Sequence, residues 1–304
     1  MYRYKNLSVA LNLTDMDEAV IKYSEMICQM AKSEKVYYLH VNRNLNIPKE
    51  ILEEYPQLLH PVDEFAVRKM RKTVKKYIKS NPKTKVVYDV VEGSPLEELL
   101  HQTTRKDIDL VIVGRKKDAS ETRRLPMKLA RKAPCSVLVV PDGVELSMNN
   151  ILVPIDFSDH SANAMDLAVA FAKAKSISSI RCLHVYQLPV GYYKIGKTEE
   201  EFADIMKKNA WENYKNFIQG IDLKGVSLIP EFVLHKKPIK AICEVVEKEH
   251  INMIVVGARG RSAAAGVLLG SVTEDLIFST QVPIIAVKKK GSGMKFLDAL
   301  FKYV

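Results

Sequence analysis

The chain repeats its own pattern at an interval of 144 residues, and that repeat limits what it can fold into. Leu7–Thr14 reads LSVALNLT and Ile151–Ser158 reads ILVPIDFS, each a short β-rich run followed by a helical stretch. In the second half Ala164, Leu167, Ala168, Phe171 and Ala172 recur at the spacing of one helix face. Val20, Tyr23, Ile27, Met30 and Ala31 serve the same purpose in the first half. VYYLHV (Val36–Val41) and IRCLHV (Ile180–Val185) come next, again 144 residues apart. Third strands are expected at Val86–Glu92 and Ser227–Leu234, each followed by a proline, Pro95 or Pro238, that opens a helix. Proline suits that position because the N–H it lacks would have no partner within the helix. Fourth strands fall at Leu110–Val113 and Met253–Val256, each closed by glycine (Gly114, Gly257), and fifth strands at Ser136–Val140 and Pro283–Val287. Polar helices are expected between strands two and three, over about 63–80 and 198–218.

Strands that alternate with helices specify a parallel sheet covered on both faces. The expected fold class is therefore α/β: two tandem five-stranded parallel-sheet domains with helices on both faces. Residues 1–144 form the first domain, 145–290 the second and 291–304 a C-terminal amphipathic tail, with Pro141–Asn150 as the linker. The fifth strands are apolar runs at sheet edges, and unpaired edges invite association, so the two domains are expected to pair through them. In the tail, Met294, Leu297, Leu300, Phe301 and Val304 share one helical face. A helix that short is not stable alone in water. It is expected to dock on the body of the chain or on a second copy, which would make a homodimer.

Composition removes several classes of function. Of 304 residues 47% are apolar and 27% charged, the balance of a globular protein. No apolar run is long enough to span a bilayer, and the N-terminus lacks the apolar region of a signal peptide. No membrane partner is expected. Cys28, Cys135, Cys182 and Cys243 are scattered and form no CxxC, so reduced thiols and a cytoplasmic location follow. The net charge is +10, with 26 basic against 19 acidic residues up to residue 144 and 20 against 17 beyond it. Such an excess attracts phosphates. Without aromatic interleaving or a recognised motif, nucleic acid is not the expected partner. Arg68–Lys79 holds seven basic residues on a helix and reads as a solvated face. The seven histidines show no HExxH spacing and no GxSxG occurs, so neither metal ligands nor a catalytic set is assigned and a dedicated enzyme is not expected.

Open parallel sheets bind ligands beyond the carboxyl ends of their strands, where strand order reverses. In the second half those ends carry Pro154-Ile155-Asp156 and Gly257-Ala258-Arg259-Gly260, and the latter run continues to Gly270-Ser271 in a G-x2-G-x9-G-S spacing. Glycines let backbone N–H groups approach an anion. Ser271 would then open a helix whose N-terminus favours phosphate. Ser271–Glu274 also reads as a capping box, and Asp156 alone could cap the next helix, neither of which needs a ligand. Together, a carboxylate after strand one and a long glycine loop after strand four point to a phosphate-bearing ligand in one crevice. Gly191–Thr198 fits the P-loop pattern G-x4-G-K-T. Glu199, Glu200 and Glu201 follow at once and would repel a triphosphate, so a surface loop is the better reading.

On the duplicated strand–helix pattern, PIDFS at Pro154–Ser158, the His184-Val185 pair and the glycine spacing, the chain apart from its tail resembles a tandem universal stress protein. The glycine motif resembles that of the family's ATP-binding branch. The resemblance implies Rossmann-like domains and ATP, with or without Mg²⁺, in the second one. It would set Asp156 on the ribose, Val185 and Ile155 on the adenine with Pro154 beside them, and Gly257, Arg259, Gly260, Gly270, Ser271 and Val272 around the phosphates. Thr273 is a further candidate. The implied function is a nucleotide-binding stress-response regulator, the alternatives being an adaptor with a structural nucleotide or a slow ATPase. The first half departs from the pattern. Asn12 and Ala10 stand where Asp156 and Pro154 do, and its loop after strand four is six residues shorter and holds no glycine between Gly114 and Pro134. One nucleotide per chain is therefore expected, with Arg115, Lys116, Lys117, Arg123 and Arg124 left as a weaker anion attractor.

Overall fold

The computed structural model describes residues 4–42, 49–54, 62–78, 83–116, 120–260 and 269–291. The chain divides into two units: one runs through Leu146 and takes in Lys290 and Gly291, the other runs from Ser147 to Lys289. The first is built from β1 (Asn6–Leu11), α1 (Asp17–Ala31), β2 (Lys35–Asn42), α2 (Lys49–Glu54), α3 (Val62–Tyr77), β3 (Lys85–Glu92), α4 (Pro95–Arg105), β4 (Leu110–Arg115), α5 (Ser120–Lys132) and β5 (Ser136–Pro141). The second comprises β6 (Ile151–Pro154), α6 (Asp159–Lys175), β7 (Ser179–Tyr186), a 3-10 turn at Tyr192–Ile195, α7 (Glu199–Gln219), β8 (Ser227–Leu234), α8 (Pro238–Lys248), β9 (Met253–Gly257), α9 (Ser271–Ser279) and β10 (Ile284–Val287). Within each unit the strands run parallel, in the orders β3-β2-β1-β4-β5 and β8-β7-β6-β9-β10. Strand order reverses between β1 and β4, and between β6 and β9, which opens a crevice beyond their carboxyl ends. The helix expected over Met294–Val304 lies outside the described residues.

Every residue of β4, β6 and β9 is buried, as a strand covered on both faces requires. Helices α1 and α6 bury Val20, Tyr23 and Ile27, and Ala164, Leu167, Ala168 and Phe171, the faces read from their spacing. The repeat extends to unusual backbone. Leu13 and Phe157 have φ of 57° and 65°, Lys32 and Ser176 of 52° and 57°, and Asp107 and His250 both of 50°. The last two pairs end α1, α6, α4 and α8. There the chain reverses so that Ser33, Ile177, Ile108 and Ile251 donate backward to Cys28, Ala172, Thr103 and Val246. The turn after β1 and β6 is held the same way in both units, a His Nδ1 lying 2.8 Å from the carbonyl that ends the strand: His40 on Leu11, His184 on Ile155. A carbonyl only accepts, so Nδ1 carries the proton in each.

A candidate nucleotide crevice in the second unit

The turn after β6 shapes one wall of the crevice. Ser158 caps α6, its Oγ accepting from the Ser161 amide. Asp156 uses one carboxylate oxygen to brace this turn: Oδ1 accepts from the Ser158 amide (3.1 Å), Ser158 Oγ (2.6 Å) and Ser161 Oγ (2.6 Å). Its other oxygen, Oδ2, faces Gly260, where an added Cβ would sit 2.8 Å from it. Glycine at 260 is thus what lets the two strand ends approach. Phe157 takes the left-handed conformation, which is strained for a bulky side chain. Its ring packs on His184, centroids 4.3 Å apart, and on Phe217 of α7.

The facing wall is the loop from β9 to α9. Gly257 packs directly on the start of α6, since a Cβ there would lie 2.7 Å from the carbonyl oxygen of His160. The Gly270 amide donates to Ala258 O (2.8 Å), closing the loop, and an added Cβ would meet the Gly260 nitrogen at 3.4 Å. Gly270 is the N-cap of α9 and supplies no side-chain acceptor, so the capping box read at Ser271–Glu274 is not formed. Ser271 and Val272 therefore open a helix whose N-cap residue supplies no side-chain acceptor, the arrangement that attracts an anion. Thr273 is buried and its Oγ1 donates to Gly257 O (2.8 Å), fastening α9 to the end of β9. His160, at the start of α6, is held below the usual imidazole range by burial and then by the positive Arg259, against the pull of Asp156 and Asp159.

All eleven residues singled out from the sequence line one cavity of about 860 Å³: Pro154, Ile155, Asp156, Val185, Gly257, Arg259, Gly260, Gly270, Ser271, Val272 and Thr273. Ser161, Leu183, His184, Pro238, Ile242, Val256, Leu269 and Glu274 line it as well. Pro238 and Ile242 were readable only as a helix start and an apolar helix face; that α8 opens beside the crevice is a matter of topology. Among the described residues no group of three or more His, Cys, Asp and Glu could hold a metal ion.

The corresponding position in the first unit is built differently. Asp17 stands where Ser161 does; it is buried, and its carboxylate accepts from the amides of Asn12 (3.0 Å) and Leu13 (2.8 Å). Burial raises its pKa against the lowering by those bonds. The carboxylate stands at the start of α1 instead of just after the strand, and reaches back to the turn. Met16 stands where His160 does, and its thioether lies where a Cβ on Gly114 would project.

The P-loop pattern at Gly191–Thr198 does not form a phosphate cradle. Thr198 caps α7 in a full capping box, its Oγ1 accepting from the Glu201 amide while the Glu201 carboxylate accepts from the Thr198 amide. Among the described residues no helix is long and apolar enough to cross a membrane.

The family model of the universal stress protein family matches residues 3–141 and again 148–288. The chain belongs to the universal stress protein family, with two tandem domains of it. It is 30% identical over 156 residues to Universal stress protein MJ0577 of Methanocaldococcus jannaschii, a match that spans 47% of this chain and 96% of that protein. A crystal structure of a universal stress protein from Archaeoglobus fulgidus DSM 4304 aligns over 94% of this chain and 99% of its own, with TM-score 0.62 and 18% identity, a likeness of fold. A universal stress protein from Archaeoglobus fulgidus in complex with dAMP aligns over 46% of this chain and 98% of its own, at 22% identity and TM-score 0.32.

Proposed function

We propose that the second unit binds one adenine nucleotide, ATP, and that the chain is a cytoplasmic regulator switched by that binding. The observation that carries this reading is the start of α9 behind its N-cap glycine, set with Arg259 and three glycines around one cavity with the Asp156 carboxylate. A carboxylate accepts from both hydroxyls of a ribose, which an amide with one acceptor oxygen cannot do. The Ser271 and Val272 amides and Arg259 would hold the phosphates, with Mg²⁺ on the phosphate oxygens. Ile155 and Val185 would face the adenine. Cys28, Cys135, Cys182 and Cys243 are all unbridged, which supports a reducing compartment.

Calorimetric titration with ATP tests the proposal. Close to one site per chain is expected. Asp156→Ala removes charge-assisted hydrogen bonds and should weaken binding about 10- to 100-fold. Gly270→Val should abolish it by displacing the Gly260 backbone. Two equal sites, or binding that survives both changes, would sink the assignment. Phosphate release followed in the same samples separates a switch from a slow ATPase.

A further inference from the structure

A second cleft lies beside this cavity, and its walls are the segment that mimics a P-loop and the segment that leads into α8. It measures about 800 Å³ and lies between Gln187–Tyr193 on one side and Leu234–Lys240 on the other. Lys237 lines this cleft while Pro238, the next residue, lines the nucleotide cavity, so one peptide unit separates the two.

Its walls are preformed. Gly191 and Gly196 adopt φ of 86° and 72°, which sets the 3-10 turn between them. Tyr192 fixes that turn to α7, its hydroxyl donating to Glu199 (3.2 Å) and its ring packing on Phe202. Opposite, the Lys237 amide donates to His235 Nδ1 (2.8 Å), and Gln187 donates to the Lys236 carbonyl (3.0 Å).

Two chemistries meet there. Val190 is fully exposed and Tyr193 two-thirds exposed at 66%, and both line the cleft as an apolar rim. Lys236, Lys237 and Lys240 line the other wall, and among the described residues Lys236 and Lys237 have no carboxylate partner. Among the described residues the one acid lining the cleft, Glu199, accepts from Tyr192.

We propose that this cleft docks an acidic peptide segment of a partner protein through one large apolar side chain. The anchor would sit against Val190 and Tyr193, with flanking carboxylates on Lys236 and Lys237. A nucleotide fits less well. The Thr198 hydroxyl accepts from the Glu201 amide and the Glu201 carboxylate accepts from the Thr198 amide, so a phosphate at the start of α7 would meet a carboxylate there. Lysines on flexible stems suit carboxylates dispersed along a chain.

Selection from a random octapeptide library on the full-length protein, with ATP present, tests the proposal. Peptides rich in Asp and Glu around one aromatic or aliphatic residue are expected to be enriched. Their affinity should fall about tenfold or more when Lys236→Glu and Lys237→Glu are combined. Tyr193→Ser should weaken them severalfold at these exposed positions, where folding is checked by circular dichroism. Gly270→Val, which removes the proposed nucleotide, should leave peptide affinity unchanged, so the two readings stand or fall separately. No enrichment over bare support, enrichment of peptides without acids, or peptides indifferent to the charge reversal would overturn the proposal. Loss of peptide binding in Gly270→Val with retention in the reversed variant would place the peptide in the first cavity and overturn it as well.

Discussion

The two domains diverge first at single positions. Aligned at the 144-residue interval, Asp156 and Ser161 become Asn12 and Asp17, so a carboxylate is present in both turns but on opposite sides of it. In the second unit the amide of Asp156 donates to Ser161 Oγ (3.1 Å), and in the first that of Asn12 donates to Asp17. The same backbone bond is kept while the charge changes place, and only the second arrangement leaves a carboxylate on the crevice. The substitution of Asn12 was legible in the sequence; the compensating Asp17 was not, because only the fold shows that position 17 reaches back to the turn. Electrostatics on the crevice can be tested through His160. Removing the positive neighbour in Arg259→Gln should raise the His160 pKa, read by proton NMR of the ring, but leave it below the ordinary value because burial is the larger cause. The sign for stability follows. The folded pKa is depressed, so below about 6.5 the unfolded chain binds the proton first and stability declines as pH falls toward the folded value. In His160→Gln that part of the decline should vanish from urea titrations run across this range.

At the scale of elements, the ordering of strands and helices was legible because apolar spacing and glycine or proline punctuation coincide at nearly every boundary. β8 and α7 run as Ser227–Leu234 and Glu199–Gln219, close to their expected spans. Short elements were less legible. The six-residue α2 and the 3-10 turn at Tyr192–Ile195 have too few residues to show a period. The start of α9 carried two readings in the sequence, a helix opened by Ser271 and a capping box, and the first is the one formed. Ser271–Glu274 has the composition of a capping box, but the helix starts one residue earlier than that box requires, with Gly270 as its N-cap and Ser271 already inside the first turn. That one-residue shift puts a residue without a side chain at the N-cap. The approach of α6 to β9 is as demanding. A Cβ at 257 would meet backbone atoms of His160, which cannot rotate away, so Gly257→Ala must push α6 outward. Overpacking of this kind costs about 1–3 kcal/mol. The expected outcome is a lower urea midpoint together with weaker ATP binding, since α6 carries the turn that orients Asp156. An unchanged midpoint would show that α6 is not seated on Gly257.

Across the whole molecule, duplication has made one unit with an open crevice opposite Asp156 and one in which the equivalent carboxylate is spent within its own turn. β5 and β10 each end the strand order of their own unit, with β4 and β9 as their neighbours there. Their apolar sequences, SVLVVP and IIAV, lead to the expectation that the domains pair through these strands. Cleaving the linker tests this without disturbing either sheet. Asp142 and Gly143 are exposed, and Gly143 takes a φ of 70° in a turn with nothing within 4 Å of its Cβ position, so a protease recognition sequence can be inserted after it. After cleavage the two pieces are expected to elute together from a size-exclusion column, at the volume of the intact chain, and to bind ATP at one site per pair. Pairing by strand edges and apolar side chains should also resist high salt, which weakens contacts held by exposed charge. Pieces that elute separately at low protein concentration, each still folded by circular dichroism, would show that the linker alone joins the domains. Pieces that separate while the uncut chain runs as a dimer would assign those strand edges to a second copy instead.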